Sequence, residues 1–284
     1  MLEKLKKEEF DKYINYAYNL SQNMKTASYP IYTDGIKDKN DFIKTAYRSF
    51  ELEFDEILLY KENNEVKGWI HYYYDLDDDS IFTVTFLCDR LYNFMIKEFI
   101  SFIKCKYPSA KIGLGFPSQN EQACKELINN GFELVETSVN NVLHTDVYQE
   151  KTHSNCVVKL DKKDFNLFRS LHDNIDIDIY WNSDRIYNNF ENWRIYIYKE
   201  KDKVLGAIYS MDANILLEVF GIDYLNNLVS NEIYENLLIA FINDAKKDGV
   251  THIVYFNEYE EELKFLKSIG FKSLGKYRYY LKQV

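Results

Sequence analysis

The chain has 284 residues, 46% of them hydrophobic and 28% charged, a composition of folded globular protein and not of a disordered chain. Lys and Arg number 35 against 45 Asp and Glu, so the net charge is −10, which argues against nucleic acid or anionic membrane as the main partner. The length suits about two domains of ordinary size, each able to bury its own core.

Taken in chain order, apolar spacing predicts amphipathic helices over 7–20 and 40–51. DEILLYKE (55–62) and VKGWIHYYYD (66–75) alternate as a hairpin, and SIFTVTFLC (80–88) reads as a buried strand. A helix near 91–106 ends before Pro108, a strand covers 110–116, and a helix near 121–129 stops at Gly131. A junction is expected at QEKTHSN (149–155). Beyond it come a strand at 156–160, then Asp161 as an N-cap and Phe165, Phe168 and Leu171 at helical spacing. A short helix over 185–193 precedes a second hairpin, turning at Lys201, Asp202 and Lys203, and an apolar strand at 215–223. The chain closes with a helix over 232–247 stopped by Gly249, a strand at 251–256, a helix over 258–269 stopped by Gly270, and two strands, 271–276 and 277–282.

This list says one thing twice. YKENNEVKG (60–68) recurs as YKEKDKVLG (198–206), and INNGFE ending at Glu133 recurs as KSIGFK ending at Lys272. Gly68 and Gly131 lie 63 residues apart, Gly206 and Gly270 64 apart. A third pair, Lys4-Leu5 before Phe10 and Lys159-Leu160 before Phe165, opens each copy. A period this long means two copies of one domain, since solenoid repeats run about 20–50 residues. The copies are expected at 1–150 and 156–284. The first carries 17 extra residues in the 22–39 region, where a substrate lid or a plain surface loop could sit.

Other chemistries leave no trace. Cys88, Cys105, Cys124 and Cys156 show neither Cys-x-x-Cys spacing nor nearby His pairs, so no metal site or disulfide framework is readable. The DLDDD run (75–79) lacks the Gly and trailing Glu of a calcium loop and reads as a solvated turn. No Walker loop, nucleophile elbow or His-Glu-x-x-His helix is present. The first residues are too charged for a signal peptide and no apolar run reaches the roughly 20 residues of a membrane span. The cytoplasm is the expected compartment.

The order of elements, with Gly-Phe after the last helix, resembles the GNAT N-acetyltransferase superfamily in tandem form. The most specific carriers are NEQACKELINNGFELVE and EEELKFLKSIGFKSLG, similar to that family's last helix and following strand. Asn120, Ala123, Gly131 and Phe132 match the family pattern in the first copy; Gly270 and Phe271 match in the second, with Tyr259 and Glu262 where Asn and Ala are expected. The resemblance implies a mixed α/β (α+β) fold: two domains, each a mostly antiparallel twisted sheet flanked by helices. It also implies acetyl-CoA as acyl donor, lying where two sheet strands splay, with its pyrophosphate on a glycine-rich loop at a helix start.

Here that loop departs from the family pattern. Arg90 takes its leading position in the first copy, but Asn93 and Met95 stand where small residues belong; the second copy has Val229, Glu232 and Tyr234. A carboxylate would repel pyrophosphate and a Tyr ring would fill its space. The first copy is therefore the expected donor half, with Phe86, Leu87, Cys88, Arg90, Asn93, Phe94, Asn120 and Ala123 as donor-binding residues, and the second the supporting half. The general-acid Tyr used by many family members is replaced by Leu127 and Leu266. Candidate catalytic groups are Glu218 on the buried strand of the second copy, and His71 and Tyr73 on one face of a first-copy strand. Three readings stay open: an acyltransferase acting on a small-molecule or peptide amine, a non-catalytic duplicated binding protein, and an aminoacyl-transferase of the tandem kind, which the acidity opposes. Neither the acceptor nor the oligomeric state is readable.

Overall fold

The structure, a computed structural model, describes residues 1–33, 36–174, 180–213, 216–227 and 230–284. Its elements are β1 (Leu2–Lys4), α1 (Phe10–Ser21), α2 (Lys39–Tyr47), β2 (Asp55–Glu62), β3 (Glu65–Asp75), β4 (Ser80–Cys88), α3 (Tyr92–Lys106), β5 (Lys111–Pro117), α4 (Glu121–Asn129) and β6 (Glu133–His144). The order then repeats as β7 (Val157–Lys159), α5 (Asn166–His172), α6 (Ser183–Asn188), β8 (Trp193–Glu200), β9 (Lys203–Ala213), β10 (Leu216–Tyr224), α7 (Asn231–Lys247), β11 (His252–Asn257), α8 (Glu260–Ser268) and β12 (Lys272–Gln283).

Local chemistry explains where these elements start and stop. Asp38 and Asp41 form a reciprocal capping box at α2, Asn120 caps α4, and Ser230 caps α7. Gly131, Gly249 and Gly270 follow α4, α7 and α8 at φ of +77°, +79° and +102°, the left-handed conformation that ends a helix. The β2–β3 hairpin turns through Asn63 and Asn64, both at positive φ, as a tight antiparallel turn requires.

The duplication extends to irregularities. Each hairpin slips register beside its glycine, between Tyr60 and Lys61 in the first copy and between Tyr198 and Lys199 in the second. Each buried strand carries one unpaired residue, Val84 in β4 and Phe220 in β10.

Two compact units result, and they do not follow the sequence order of the copies. Unit 1 comprises Met1–Ser138 with Gly275–Val284, and unit 2 comprises Val139–Leu274. Sequence order divides the chain at 1–150 and 156–284; in the structure the last strands are exchanged. The two strands expected at 271–276 and 277–282 are one strand, β12, whose Tyr277–Gln283 pair antiparallel with β5 of the first copy. Val139–His144 of β6 pair antiparallel with β11 of the second. Unit 1 thus has strand order β1-β2-β3-β4-β5-β12, and unit 2 has β7-β8-β9-β10-β11-β6. In both, these pairings are antiparallel except the fourth, β4 with β5 and β10 with β11.

Sterics fix the exchanged strand in unit 1. Gly113 and Gly115 leave bare patches on β5, and the hydroxyls of Tyr279 and Tyr277 occupy the space that a Cβ would take at each. Tyr280, on the other face, is fully buried in the same apolar core as Tyr72, Phe99, Leu114 and Phe116.

One carboxylate in this core is held ionised. Glu56 on β2 accepts hydrogen bonds from Lys4, Lys106 and the Tyr72 hydroxyl. Burial alone would raise its pKa, but these donors more than offset that and hold it at about 2. In unit 2 the QEKTHSN junction is docked, not free: the Asn243 amide donates to the Lys151 carbonyl and the Ser154 N–H donates to Asn236, both on α7.

Candidate functional site

In unit 1, β4 and β5 pair only at Ser80–Lys111, Ile81–Ile112 and Phe82–Gly113. The extra residue Val84 then turns β4 aside. Past it the strands part, and the amides of β4 that face away from β3 need other partners.

Those partners come from the 22–39 insert. The Cys88 N–H donates to the Thr26 carbonyl at 3.0 Å, and the Phe86 N–H donates to Ser28 Oγ at 2.8 Å. Asn120 Nδ2 donates to the Ala27 carbonyl at 3.3 Å and to the Tyr92 hydroxyl at 2.7 Å, while its Oδ1 accepts the Ala123 N–H. Ala27 is 0% and Ser28 2% exposed. The insert is therefore neither a bare surface loop nor, as it stands, an open lid; part of it lies inside the groove. Beyond it a pocket of about 490 Å³ remains open, lined by Asn23, Lys25 and Thr26 of the insert, Asp89 and Arg90, and Gln119, Asn120, Glu121 and Gln122 at the start of α4.

The expected donor residues divide between wall and mouth. Phe86, Leu87, Cys88, Asn120 and Ala123 are buried in the wall. Arg90 and Phe94 are exposed and Asn93 is half-buried. Arg90 adopts φ +80°, with Nε 3.5 Å from Asp89. Burial pushes the Cys88 thiol up to about 12, so it supplies no thiolate nucleophile at neutral pH. Met95 is buried with its sulfur against Gly68, not lining a phosphate loop.

His71 and Tyr73 do share a face, but only one reaches open space. His71 is 1% exposed and its Nε2 is engaged by Asp55, which Arg48 approaches at 3.5 Å. Tyr73 lines a cavity of about 410 Å³ with Arg48, Leu52, Glu53, Phe54, Asp55 and Tyr74. Glu218 is half-buried on β10 and belongs to unit 2, so it is not grouped with His71 and Tyr73.

The groove of unit 2 is filled differently. β10 and β11 pair from Leu216–His252 to Val219–Tyr255 and part at Phe220. Tyr224, Tyr234 and Tyr255 are buried there, and the Tyr255 hydroxyl donates to Glu262 at 3.2 Å. Burial raises Glu262 to about 7. The hydroxyls of Tyr224 and Tyr234 are buried with no hydrogen-bond partner among the described residues. Glu232 is exposed in the first turn of α7, and Val229 lies outside the described residues.

Sequence reasoning missed three features. Thr26–Ser28 carries no motif. Glu262 was visible only as a departure from the family's Ala. A buried pair joins His172 Nδ1 to Asp223 at 2.6 Å, with His172 Nε2 on the Trp181 carbonyl at 2.9 Å, and a separation of 51 positions gives no sequence signal for it. Among the described residues no group of three or more His, Cys, Asp or Glu is placed to hold a metal ion, and no helix is long and apolar enough to cross a membrane.

Two units of this topology in one chain, each with a bulged strand and a splayed parallel pair, define the tandem GNAT fold, and the chain has it. A GCN5-related N-acetyltransferase from Sphaerobacter thermophilus superposes with a TM-score of 0.71 at 8% identity, covering 100% of this chain and 95% of that one. A tandem GNAT protein from the clavulanic acid biosynthesis pathway gives 0.60 at 7% identity, covering 100% and 98%. The GCN5-related glucosamine N-acetyltransferase region of a fungal multi-domain GH3 β-N-acetylglucosaminidase gives 0.64 at 9%, covering 99% of this chain and 38% of that one. No family description matches the sequence, and no curated protein is similar to it. At such identities the likeness establishes the fold.

Proposed function

We propose that the chain is a cytoplasmic N-acyltransferase that moves an acyl group, acetyl in the simplest case, from a CoA thioester to a small-molecule or peptide amine, with unit 1 taking the donor. The observation that carries this reading is the Val84 bulge, which parts β4 from β5 and leaves at the open end a pocket bearing Lys25 and Arg90. As the groove stands, Thr26–Ser28 hold its amides, so a pantetheine arm fits only where those residues give way.

A bound thioester supplies an acyl carbonyl open to attack by a neutral amine: a C–N bond forms, the C–S bond breaks, and the amine proton must leave. The Phe86 and Cys88 amides would hold the arm, and Arg90 and Lys25 would face its phosphates. Asn120 keeps the start of α4 in place. Tyr73, on the wall of the second cavity, takes the role of proton carrier in this reading. His71 orients that face through Asp55. Glu218, in the other unit, has no part in it.

A second reading is favoured by a specific observation. Both grooves are filled by the chain's own residues, as expected of a duplicated protein that no longer catalyses.

Calorimetric titration with acetyl-CoA separates the two. Binding is expected, and Arg90→Glu should weaken it about tenfold or more, since a charge-assisted phosphate contact is worth roughly 1.5–3 kcal/mol. Unchanged affinity in that variant removes Arg90 from the site. No binding by the intact protein leaves the non-catalytic reading standing.

A further inference from the structure

We propose that Thr26–Ser28 is an internal occupant of the donor groove, competing with the acyl donor, so that unit 1 binds a CoA thioester only in the fraction of molecules from which this segment has withdrawn. The inference rests on the acyltransferase reading given above.

Three observations carry it. First, the segment satisfies β4 as an amide-bearing chain would. Phe86 and Cys88 are alternate residues on one edge of the strand, and each donates to the insert. The pantetheine arm of CoA carries two amide groups of the same hydrogen-bonding type. Occupant and donor can therefore exchange without leaving a buried N–H unpaired, the outcome that would otherwise cost most.

Second, the engaged stretch is short and its flanks are anchored elsewhere. On one side the Asn23 N–H donates to the Leu20 carbonyl at the end of α1 and the Lys25 N–H donates to Asn23 Oδ1; the bonds from the Thr26 and Ala27 N–H groups to the Asn23 carbonyl, and from Thr26 Oγ1 to Leu20, are those that withdrawal breaks. On the other, Gln22 donates to the Tyr32 carbonyl, and the Tyr32 ring packs against Phe42 of α2 at 5.1 Å. Small residues fill the groove while the bulky ones hold the ends. Withdrawal need move only the stretch between them, and an open pocket of about 490 Å³ already adjoins Thr26.

Third, the extension that supplies the occupant belongs to the first copy alone. The second copy lacks the 17-residue extension, and among the described residues no segment outside the sheet pairs with the corresponding edge of β10 at Ile222 and Tyr224. Its groove is closed by side chains instead. The 17-residue extension that supplies the occupant is thus an addition of the first copy.

Competition of this kind lowers apparent affinity by the fraction of molecules whose groove is open. The test uses the full chain and CoA itself as the probe. Replacing residues 26–29 by Gly and Ser, with Lys25 kept, should raise CoA affinity about tenfold or more in calorimetry, and Ser28→Ala, which removes the acceptor for the Phe86 N–H, should raise it about threefold. In the unmodified protein, CoA should speed deuterium uptake across residues 24–30. Folded variants that bind CoA no better than the parent, with uptake at 24–30 unchanged by CoA, overturn the competition while leaving the acyltransferase reading intact. CoA binding by none of the three proteins overturns both. Should the replacement fail to fold, as its melting curve will reveal, Ser28→Ala and the exchange measurement on the parent decide the matter.

Discussion

Matched positions in the two units carry the same ion pair with its polarity reversed. In unit 1, Glu56 on β2 meets Lys106 at the end of α3; in unit 2, Arg194 on β8 meets Asp248 just past α7, at 2.8 Å. Lys4 joins the first pair from β1, and Asp212 joins the second at 2.9 Å. The fold evidently requires opposite charges where this strand passes the helix end, but not a given sign on either element. Reversal has a use in a duplicated chain. A helix from one copy docked on the sheet of the other would bring like charges together, which disfavours mispairing of two similar halves.

The grooves differ in the same spirit, one closed by backbone and the other by tyrosine rings. The largest expected effect probes the exchanged strand. Ending the chain at residue 274 should abolish the cooperative unfolding of unit 1, because β12 covers β5 and supplies the buried Tyr280. Appending residues 275–284 after residue 150 of an isolated first copy should restore a melting transition. If the isolated first copy melts cooperatively without them, the exchange is dispensable.

Two carboxylates give the next test, with opposite signs. Glu56 has a folded pKa depressed from 4.5 to about 2, so its stabilisation is present above pH 4.5 and is lost as pH falls toward 2. Glu56→Gln should cost about 1–2 kcal/mol at pH 7, discounted for the solvent access of its lysine partners, and little near pH 2. Glu262 is raised from 4.5 to about 7, so its ionisation destabilises the fold progressively from pH 4.5 and fully above 7. Glu262→Gln should therefore stabilise by about 1–2 kcal/mol above pH 7, discounted for solvent access, and by nothing below 4.5. Denaturant melts across that range check both, and equal pH profiles for the two variants would contradict the assignment.

The smallest effect concerns two tyrosines in the first turns of α3 and α7. The Tyr92 hydroxyl accepts from Asn120; that of Tyr234 is buried without a partner among the described residues. Tyr92→Phe should cost about 1–2 kcal/mol, whereas Tyr234→Phe should be neutral or slightly stabilising.

Much of this architecture was legible beforehand because its signals are local. Glycines at 131, 249 and 270 marked helix ends, hairpin patterning around polar turns marked 55–62 and 193–200 as strands, and an apolar run marked 80–88. Partner choice was not legible. β6 and β12 follow equivalent helices with similar alternation, and nothing in either strand alone says which parallel pair it will complete. The deciding feature is joint: tyrosines at 277 and 279 need glycines at 113 and 115, more than 160 residues away. The site behaved likewise. Arg90 and Asn120 were recognisable from a pattern, but the residues inside the groove, Ala27 and Ser28, are small, unremarkable in sequence and defined only by what they cover.

The exchanged strands also set an order of events during synthesis. Unit 1 is built from residues 1–138 and 275–284, so its sheet waits on the ribosome while residues 139–274 are made. Unit 2 draws on one continuous stretch and has all its parts first. The nascent chain must carry an uncovered β5 edge, glycine-gapped at Gly113 and Gly115, throughout that interval. Slowed elongation or early chain release should expose the first half, not the second, to chaperones and proteases.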